Sequence, residues 1–287
     1  MKVSQLLNQD KVTLSFEVFP PKTSSSYESV AHATQEIAAL RPDFMSVTYG
    51  AGGGTSEHTV NIAADLKKKY DVTVLTHLTC VSSTREHVAA MVKKYKDAGI
   101  ENILALRGDI PEGGAPHSDY HYAAELVRDI KSQGDFCVGG ACYPEGHVEA
   151  ANKTEDILHL KEKVDAGCEF LTTQMFFDNN IMYNFLYRIR EKGITVPVVA
   201  GIMPVTNAKQ IIRICQLSGT KLPPQFRAMV EKFADKPEAL KQAGIAYATG
   251  QIIDLIANGF DNVHIYTMNK PEIFAGIMNN LGEIVDK

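Results

Sequence analysis

The chain has 287 residues, 45% of them apolar and 22% charged, with a formal net charge of −5. That balance excludes a disordered tail and a coiled coil, and with no basic stripe and no apolar run of about 20 residues it points away from nucleic acid and from a membrane span. Five cysteines with no Cys-x-x-Cys pair read as reduced packing thiols of a cytoplasmic protein, and the polar N-terminus lacks the apolar segment of a signal peptide.

In chain order, runs rich in β-branched and apolar residues predict strands at 12–18, 43–49, 72–78, 102–107, 136–142, 169–175, 196–202 and 262–268. Between them apolar residues recur at helical spacing, as in Val30, Ile37, Ala38 and Leu40, or Ile157, Leu160 and Val164. Ser56 and Thr84 are expected N-caps, and Gly99, Gly134, Gly167, Gly193 and Gly259 are expected helix stops. Eight β-α repeats predict a (β/α)8 TIM barrel, a single domain over 1–287, with two or three extra helices at 206–258 between strands seven and eight. The competing doubly wound sheet would place a glycine-rich turn after its first strand, where this chain has Glu17-Val18-Phe19-Pro20-Pro21.

A barrel carries its chemistry at the C-terminal ends of its strands. Those ends hold Glu17; Thr48-Tyr49; His77; Arg107-Gly108-Asp109; Tyr143 with Glu145 and His147; Gln174; Met203-Pro204; and Tyr266 with Asn269-Lys270. Glu17 shares a strand face with Ser15. Over an apolar interior its proton affinity would rise, as a general acid needs; a surface or cross-barrel ion-paired Glu is the alternative. Asp156, His159 and Lys163 fall on one helix face, able to grip a ribose and a pyrophosphate or simply to be solvated. The glycine-rich run Gly50–Gly54 before a helix suits an anion or a close ligand approach, or is a plain loop. Gln174, beside Phe176 and Phe177, suits a flat heteroaromatic ring or ends a core strand. His147 and His159 are not spaced as a ligand pair, so no metal is expected.

The blocks Phe16-Glu17-Val18-Phe19-Pro20-Pro21-Lys22, Val47-Thr48-Tyr49-Gly50-Ala51, Thr76-His77-Leu78-Thr79-Cys80 and Leu106-Arg107-Gly108-Asp109 resemble methylenetetrahydrofolate reductases. So do Tyr143-Pro144-Glu145-Gly146-His147, Lys163–Gly167, Thr173–Asp178, Gly201–Val205 and His264–Lys270, in order from about residue 12 to about residue 281. The resemblance is to the short bacterial type, without a C-terminal regulatory domain.

It implies non-covalent FAD, reduced by NAD(P)H, that in turn reduces 5,10-methylenetetrahydrofolate to 5-methyltetrahydrofolate in a ping-pong cycle of one-carbon metabolism leading to methionine. By resemblance Glu17 is the acid toward N10 of the folate and Asp109 a catalytic residue near flavin and pterin. Asp109, Gln174, Gln210 and Lys270 contact substrate. Flavin contacts fall on Thr48, Tyr49, Ala51, His77, Arg107, Gly108, Asp109, Tyr122, Ala123, Tyr143, His147, Ala150, Asp156, His159 and Lys163.

Two residues depart from some members: Lys270 stands in place of Arg, losing bidentate carboxylate contact, and Ile214 in place of Phe, losing a stacking ring. The rival readings are another flavin-dependent barrel oxidoreductase resembling proline dehydrogenase, a cofactor-free barrel aldolase or isomerase using Glu17 as base with a phosphate on the glycine-rich loop, and a non-catalytic scaffold. Small-molecule substrates and a homo-oligomer are expected, with no nucleic acid and no membrane partner.

Overall fold

In the computed structural model, which describes residues 1–21, 26–49, 55–110 and 118–285, eight parallel strands close into a barrel in chain order. They are β1 (Thr13–Val18), β2 (Phe44–Val47), β3 (Val74–Thr79), β4 (Asn102–Leu106), β5 (Cys137–Cys142), β6 (Phe170–Thr173), β7 (Val198–Ile202) and β8 (Asn262–Tyr266). Each overlies one of the eight expected runs. Closure pairs β1 with both β2 and β8, which sets Glu17 beside Ser46 and Tyr266.

The helices are α1 (Val3–Leu6), α2 (Tyr27–Ala39), α3 (Thr55–Tyr70), α4 (Arg85–Asp97), α5 (Ala123–Gln133), α6 (Lys153–Asp165), α7 (Asn179–Glu191), α8 (Ala208–Ser218), α9 (Pro224–Lys232), α10 (Pro237–Ala257) and α11 (Pro271–Leu281). The expected insertion is α8 to α10. Proline opens α9, α10 and α11, where its missing N–H costs nothing and its fixed φ is already helical. Thr84 caps α4 by accepting from the His87 N–H at 3.2 Å. Ser56 is a correction: helical geometry already begins at Thr55, so Ser56 lies buried inside the first turn of α3 and does not cap it. Among the described residues no helix is long and apolar enough to cross a membrane.

Inward-pointing side chains stack in layers. At the N-terminal end the filling is apolar: Phe44, Leu75, Leu104, Cys137, Phe170 and Val199, closed below by Val3, Leu6 and Leu7 of the N-terminal segment. The Phe170 ring reaches across to β5, where a Cβ on Gly139 would lie 2.3 Å from its Cζ. Glycine there is what lets the ring fill the barrel. Toward the C-terminal end the buried filling turns polar, with Ser15, Glu17, Ser46, His77, Thr172 and His264. The outer strand faces pack under the helices in the main core, and a separate apolar cluster, including Met175, Phe177, Val205, Ile211 and Phe226, sits under α8 and α9. Four cysteines are buried and Cys215 partly so, all of them free thiols.

Candidate active site

Two adjoining cavities open at the C-terminal ends of the strands. The smaller, about 270 Å³, is lined by Glu17, Ser46, His77, Thr172, Gln174, His264 and Tyr266 among others. Alternation along β1 aims Glu17 into it, the interior orientation expected from Ser15 and Glu17 sharing a face. Burial pushes the Glu17 carboxyl up to about 8 and the His77 imidazole down to about 3. Glu17 Oε2 lies 3.7 Å from His77 Nε2, a spacing that would pass for an ion pair. Desolvation says otherwise: near neutral pH the contact joins a protonated acid to a neutral imidazole.

His77 Nε2 and Thr172 Oγ1 are buried with no hydrogen-bond partner among the described residues, which leaves polar atoms facing this cavity. Beneath, Ser15 donates to the Val263 carbonyl at 3.1 Å, so His264 Nδ1 donates to Ser15 at 2.8 Å and Nε2 accepts from Ser46 at 3.1 Å. Tyr266 leans over β7, its hydroxyl donating to the Thr173 carbonyl at 2.6 Å; a Cβ on Gly201 would meet that hydroxyl at 2.6 Å.

The larger cavity, about 720 Å³, runs outward over β4, β5 and α6 and shares Leu106, Ala141 and Tyr143 with the smaller. Ala105, Leu106 and Ala141 make an apolar floor, while Arg107, His147, Asp156, His159 and Lys163 supply polar walls. The one-face reading of α6 holds: Asp156, His159 and Lys163 all border the cavity. Asp156 accepts from the His147 N–H at 3.3 Å, and Lys163 Nζ donates to the Ala141 carbonyl at 2.6 Å. Tyr122, which leads into α5, stacks on His159 with ring centroids 5.4 Å apart. Gly108 has φ of +88°, and a Cβ there would meet Val81 at 2.7 Å, so the strand-end turn requires glycine.

Most residues carried over by resemblance meet at these cavities. Tyr49, Arg107, Gly108, Asp109, Tyr122, Ala123, Tyr143, His147, Ala150, Asp156, His159 and Lys163 line the larger one. Glu17 and Gln174 line the smaller, and so does His77, which sits with the acid and not with the flavin-type residues. Thr48 lines neither; its N–H donates to the Val18 carbonyl at 3.0 Å. Gln210, in the first turn of α8, and Lys270, which donates to Thr206 at 3.2 Å, also border neither cavity. Ala51 and the glycine-rich run at 50–54 lie outside the described residues, as does Lys22.

Sequence reasoning missed several groups. Glu149 pairs with Arg107 in the larger cavity. Glu125 accepts from the His121 and Tyr122 N–H groups and fixes the entry to α5; its place three residues after Tyr122 was the available signal. Asn269, already expected at the eighth strand end, has the unforeseen role of clamping the chain after β1, accepting from Phe19 N–H at 2.8 Å and donating to its carbonyl at 2.9 Å. Met268 and Asn269 hold φ of 52° and 56°, a left-handed pair that non-glycine residues adopt only when the surroundings impose it.

The family model described as methylenetetrahydrofolate reductase matches residues 2–282. A 5,10-methylenetetrahydrofolate reductase of Pectobacterium carotovorum is 37% identical over 275 residues, covering 96% of this chain and 91% of that one. The enzyme of that name from Escherichia coli K12 is 35% identical, covering 96% and 92%. An NADH methylenetetrahydrofolate reductase of Arabidopsis thaliana is 35% identical across 99% of this chain but only 50% of its own length. Among solved structures, a Clostridium thermocellum protein described as binding two copies of 5-methyl-5,6,7,8-tetrahydrofolic acid superposes with a TM-score of 0.69 over 100% of this chain and 99% of that one. At 14% identity that likeness concerns the barrel fold alone.

Proposed function

Since the chain belongs to the methylenetetrahydrofolate reductase family and is thereby an oxidoreductase, we propose that it reduces 5,10-methylenetetrahydrofolate to 5-methyltetrahydrofolate with NAD(P)H, through bound FAD. The observation that carries the reading is Glu17, a buried carboxyl with its pKa raised to about 8, facing the smaller cavity, which adjoins the larger at Leu106, Ala141 and Tyr143.

The larger cavity fits FAD. Its apolar floor suits a flat ring system, and the Arg107 guanidinium and Lys163 ammonium farther out suit phosphate. Lys163 also reaches back to β5 through Ala141, so its charge is held in place by one hydrogen bond while two N–H donors stay available. When bound, FAD would supply the hydride acceptor and donor that links nicotinamide to folate.

This chain's own residues supply the rest. Methylenetetrahydrofolate becomes electrophilic when its N10–carbon bond opens, and protonation at N10 drives that opening. A Glu17 carboxyl still protonated near neutral pH is placed to give that proton. His77, neutral and 3.7 Å away, leaves it uncompensated by positive charge, so the proton stays on the acid until a base arrives. The Asp109 carboxylate can favour the cationic iminium and orient the amino edge of the pterin. The Gln174 side chain accepts from the Met175 N–H at 3.0 Å, which turns its NH₂ outward as the free donor for a heterocycle edge. By resemblance Gln210 and Lys270, which border neither cavity, would contact the more distant parts of the folate.

The test is a spectrum. Purified protein should be yellow, bleach on NADH or NADPH, and recover its colour on methylenetetrahydrofolate. A colourless protein that binds no added FAD removes the cofactor. A bleached flavin that folate does not restore removes the substrate.

A further inference from the structure

Arg107, just past the end of β4, turns both terminal guanidinium nitrogens on Glu149. Nη1 lies 2.5 Å from Oε2 and Nη2 2.7 Å from Oε1. Its Nε donates to the Gly108 carbonyl at 3.2 Å. A guanidinium binds an oxyanion two-handed either end-on, through both Nη, or side-on, through Nε and one Nη. The first edge is taken by Glu149 and the second is half taken by Gly108, so neither is free.

Charge in the larger cavity sharpens the point. Two fixed cations, Arg107 and Lys163, stand there against five carboxylates, Glu149 among them. A dianionic pyrophosphate entering this space meets net negative charge, and the group best shaped to receive it is engaged. Glu149 can let go. It sits in the short connection between β5 and α6, whose backbone is fixed by the Glu149 N–H on His147 Nδ1 at 3.1 Å and the Ala150 N–H on the His147 carbonyl at 3.1 Å. The side chain itself is 48% exposed against 25% for Arg107, so on release the carboxylate returns to water while the guanidinium stays in the wall.

We propose that Glu149 is an internal competitor for Arg107, holding the guanidinium fork that the pyrophosphate of a bound dinucleotide takes over, and thereby setting how tightly that dinucleotide is held. Glu149 is thus a positioning residue acting through Arg107. The inference rests on the reading of the larger cavity as the FAD site. Binding exchanges one ion pair for another, which also flattens the dependence of affinity on salt.

The test is FAD titration of full-length apoprotein by flavin fluorescence, with release followed on dilution. Glu149→Gln keeps the shape and removes the charge. FAD should then bind about three- to tenfold tighter, mainly through slower release, with a steeper salt dependence than wild type. In an Arg107→Ala background the same substitution should gain less than about twofold. Unchanged or weaker binding by Glu149→Gln overturns the proposal and makes Glu149 a support for Arg107. A wild type that binds no FAD fails earlier, at the cofactor reading. A wild type that binds FAD beside a variant that binds no tighter sinks only the competitor.

Discussion

The two cavities on this rim share three wall residues yet hold charge in opposite ways. In the larger one, Arg107 pairs with Glu149, and His159 lies within 3.8 Å of Glu155 and 3.6 Å of Glu162. Arg107 and Glu149 are part exposed and hydrogen-bond each other, which raises the guanidinium and lowers the carboxyl and so favours both charged forms. In the smaller one, Glu17 and His77 are buried side by side and both are driven toward the neutral form. Partnership governs the Arg107–Glu149 pair of the first, even though burial pushes Asp156 up and His147 down there, whereas desolvation alone governs Glu17 and His77 in the second. A pocket that keeps its charges suits holding a charged ligand. A pocket that suppresses them suits moving a proton.

The largest expected effect breaks the smaller cavity alone. Glu17→Gln keeps size and hydrogen bonding and removes the proton. Stopped-flow flavin reoxidation by methylenetetrahydrofolate should slow by a factor on the order of 10² or more, while reduction by NAD(P)H stays near wild type, because that hydride transfer needs no acid. Equal damage to both half-reactions would take the acid role from Glu17. In the wild type the same carboxyl should make the folate half-reaction decline as pH rises through about 8, with no matching decline in the nicotinamide half-reaction.

Next in size is the converse test, in the larger cavity. Lys163→Ala removes the ammonium held against β5 and should cost about 1.5–3 kcal/mol of FAD affinity. Desalting followed by a flavin spectrum measures it, and full retention of FAD would reduce the α6 face to a solvated one. The rate of the folate step in fully reloaded variant should change far less than in Glu17→Gln.

A smaller effect reads the smaller cavity through stability. Glu17 takes up its proton more readily folded than unfolded, so folding stability falls as pH rises from the ordinary carboxyl value of 4.5 to about 8. His77 and His264 hold theirs less readily, so their contribution is full above 6.5 and is lost as pH falls toward about 3. Together these three groups place maximum stability near the top of the histidine window. Glu17→Gln lacks the carboxyl penalty and should exceed wild type in stability by roughly 1–3 kcal/mol at pH 8, with the gap closing toward pH 4.5. Thermal melts across that range decide it; a gap that stays constant with pH would mean Glu17 is not desolvated.

The fold was legible because each strand announces itself by composition and the apolar residues between strands recur at helical spacing. The interior placement of Glu17 followed from alternation with Ser15. Other features were not legible. The pairing of Arg107 with Glu149 spans 42 residues and depends on how the turn after β5 folds back. Glu17 and His77 lie on β1 and β3, which only the barrel brings within 3.7 Å. Periodicity assigns a residue to a face but does not say which of two adjoining cavities that face borders, and His77, a flavin contact by resemblance, lines the smaller one with Glu17. Gln210 and Lys270 came from resemblance alone, and both stand outside the two cavities, Gln210 on α8 of the insertion and Lys270 tied to Thr206.

The last prediction is a kinetic pattern and asks whether the two cavities are used in turn. A barrel of eight strands is filled below by side chains, here by the Phe44, Phe170 and Val199 layer, so ligands can lie only on the rim. FAD bound in the larger cavity would take the ends of β4 and β5 and leave the space over Glu17 and Gln174. At about 270 Å³ that space admits one flat ring at a time against the wall shared at Leu106, Ala141 and Tyr143. Nicotinamide and pterin must each present a carbon to the same edge of the flavin, and so must alternate. Steady-state rates should give parallel double-reciprocal lines, with each substrate inhibiting competitively against the other at high concentration. Intersecting lines would mean that both rings fit together, and the division of labour between a holding cavity and a proton-moving cavity would then fail.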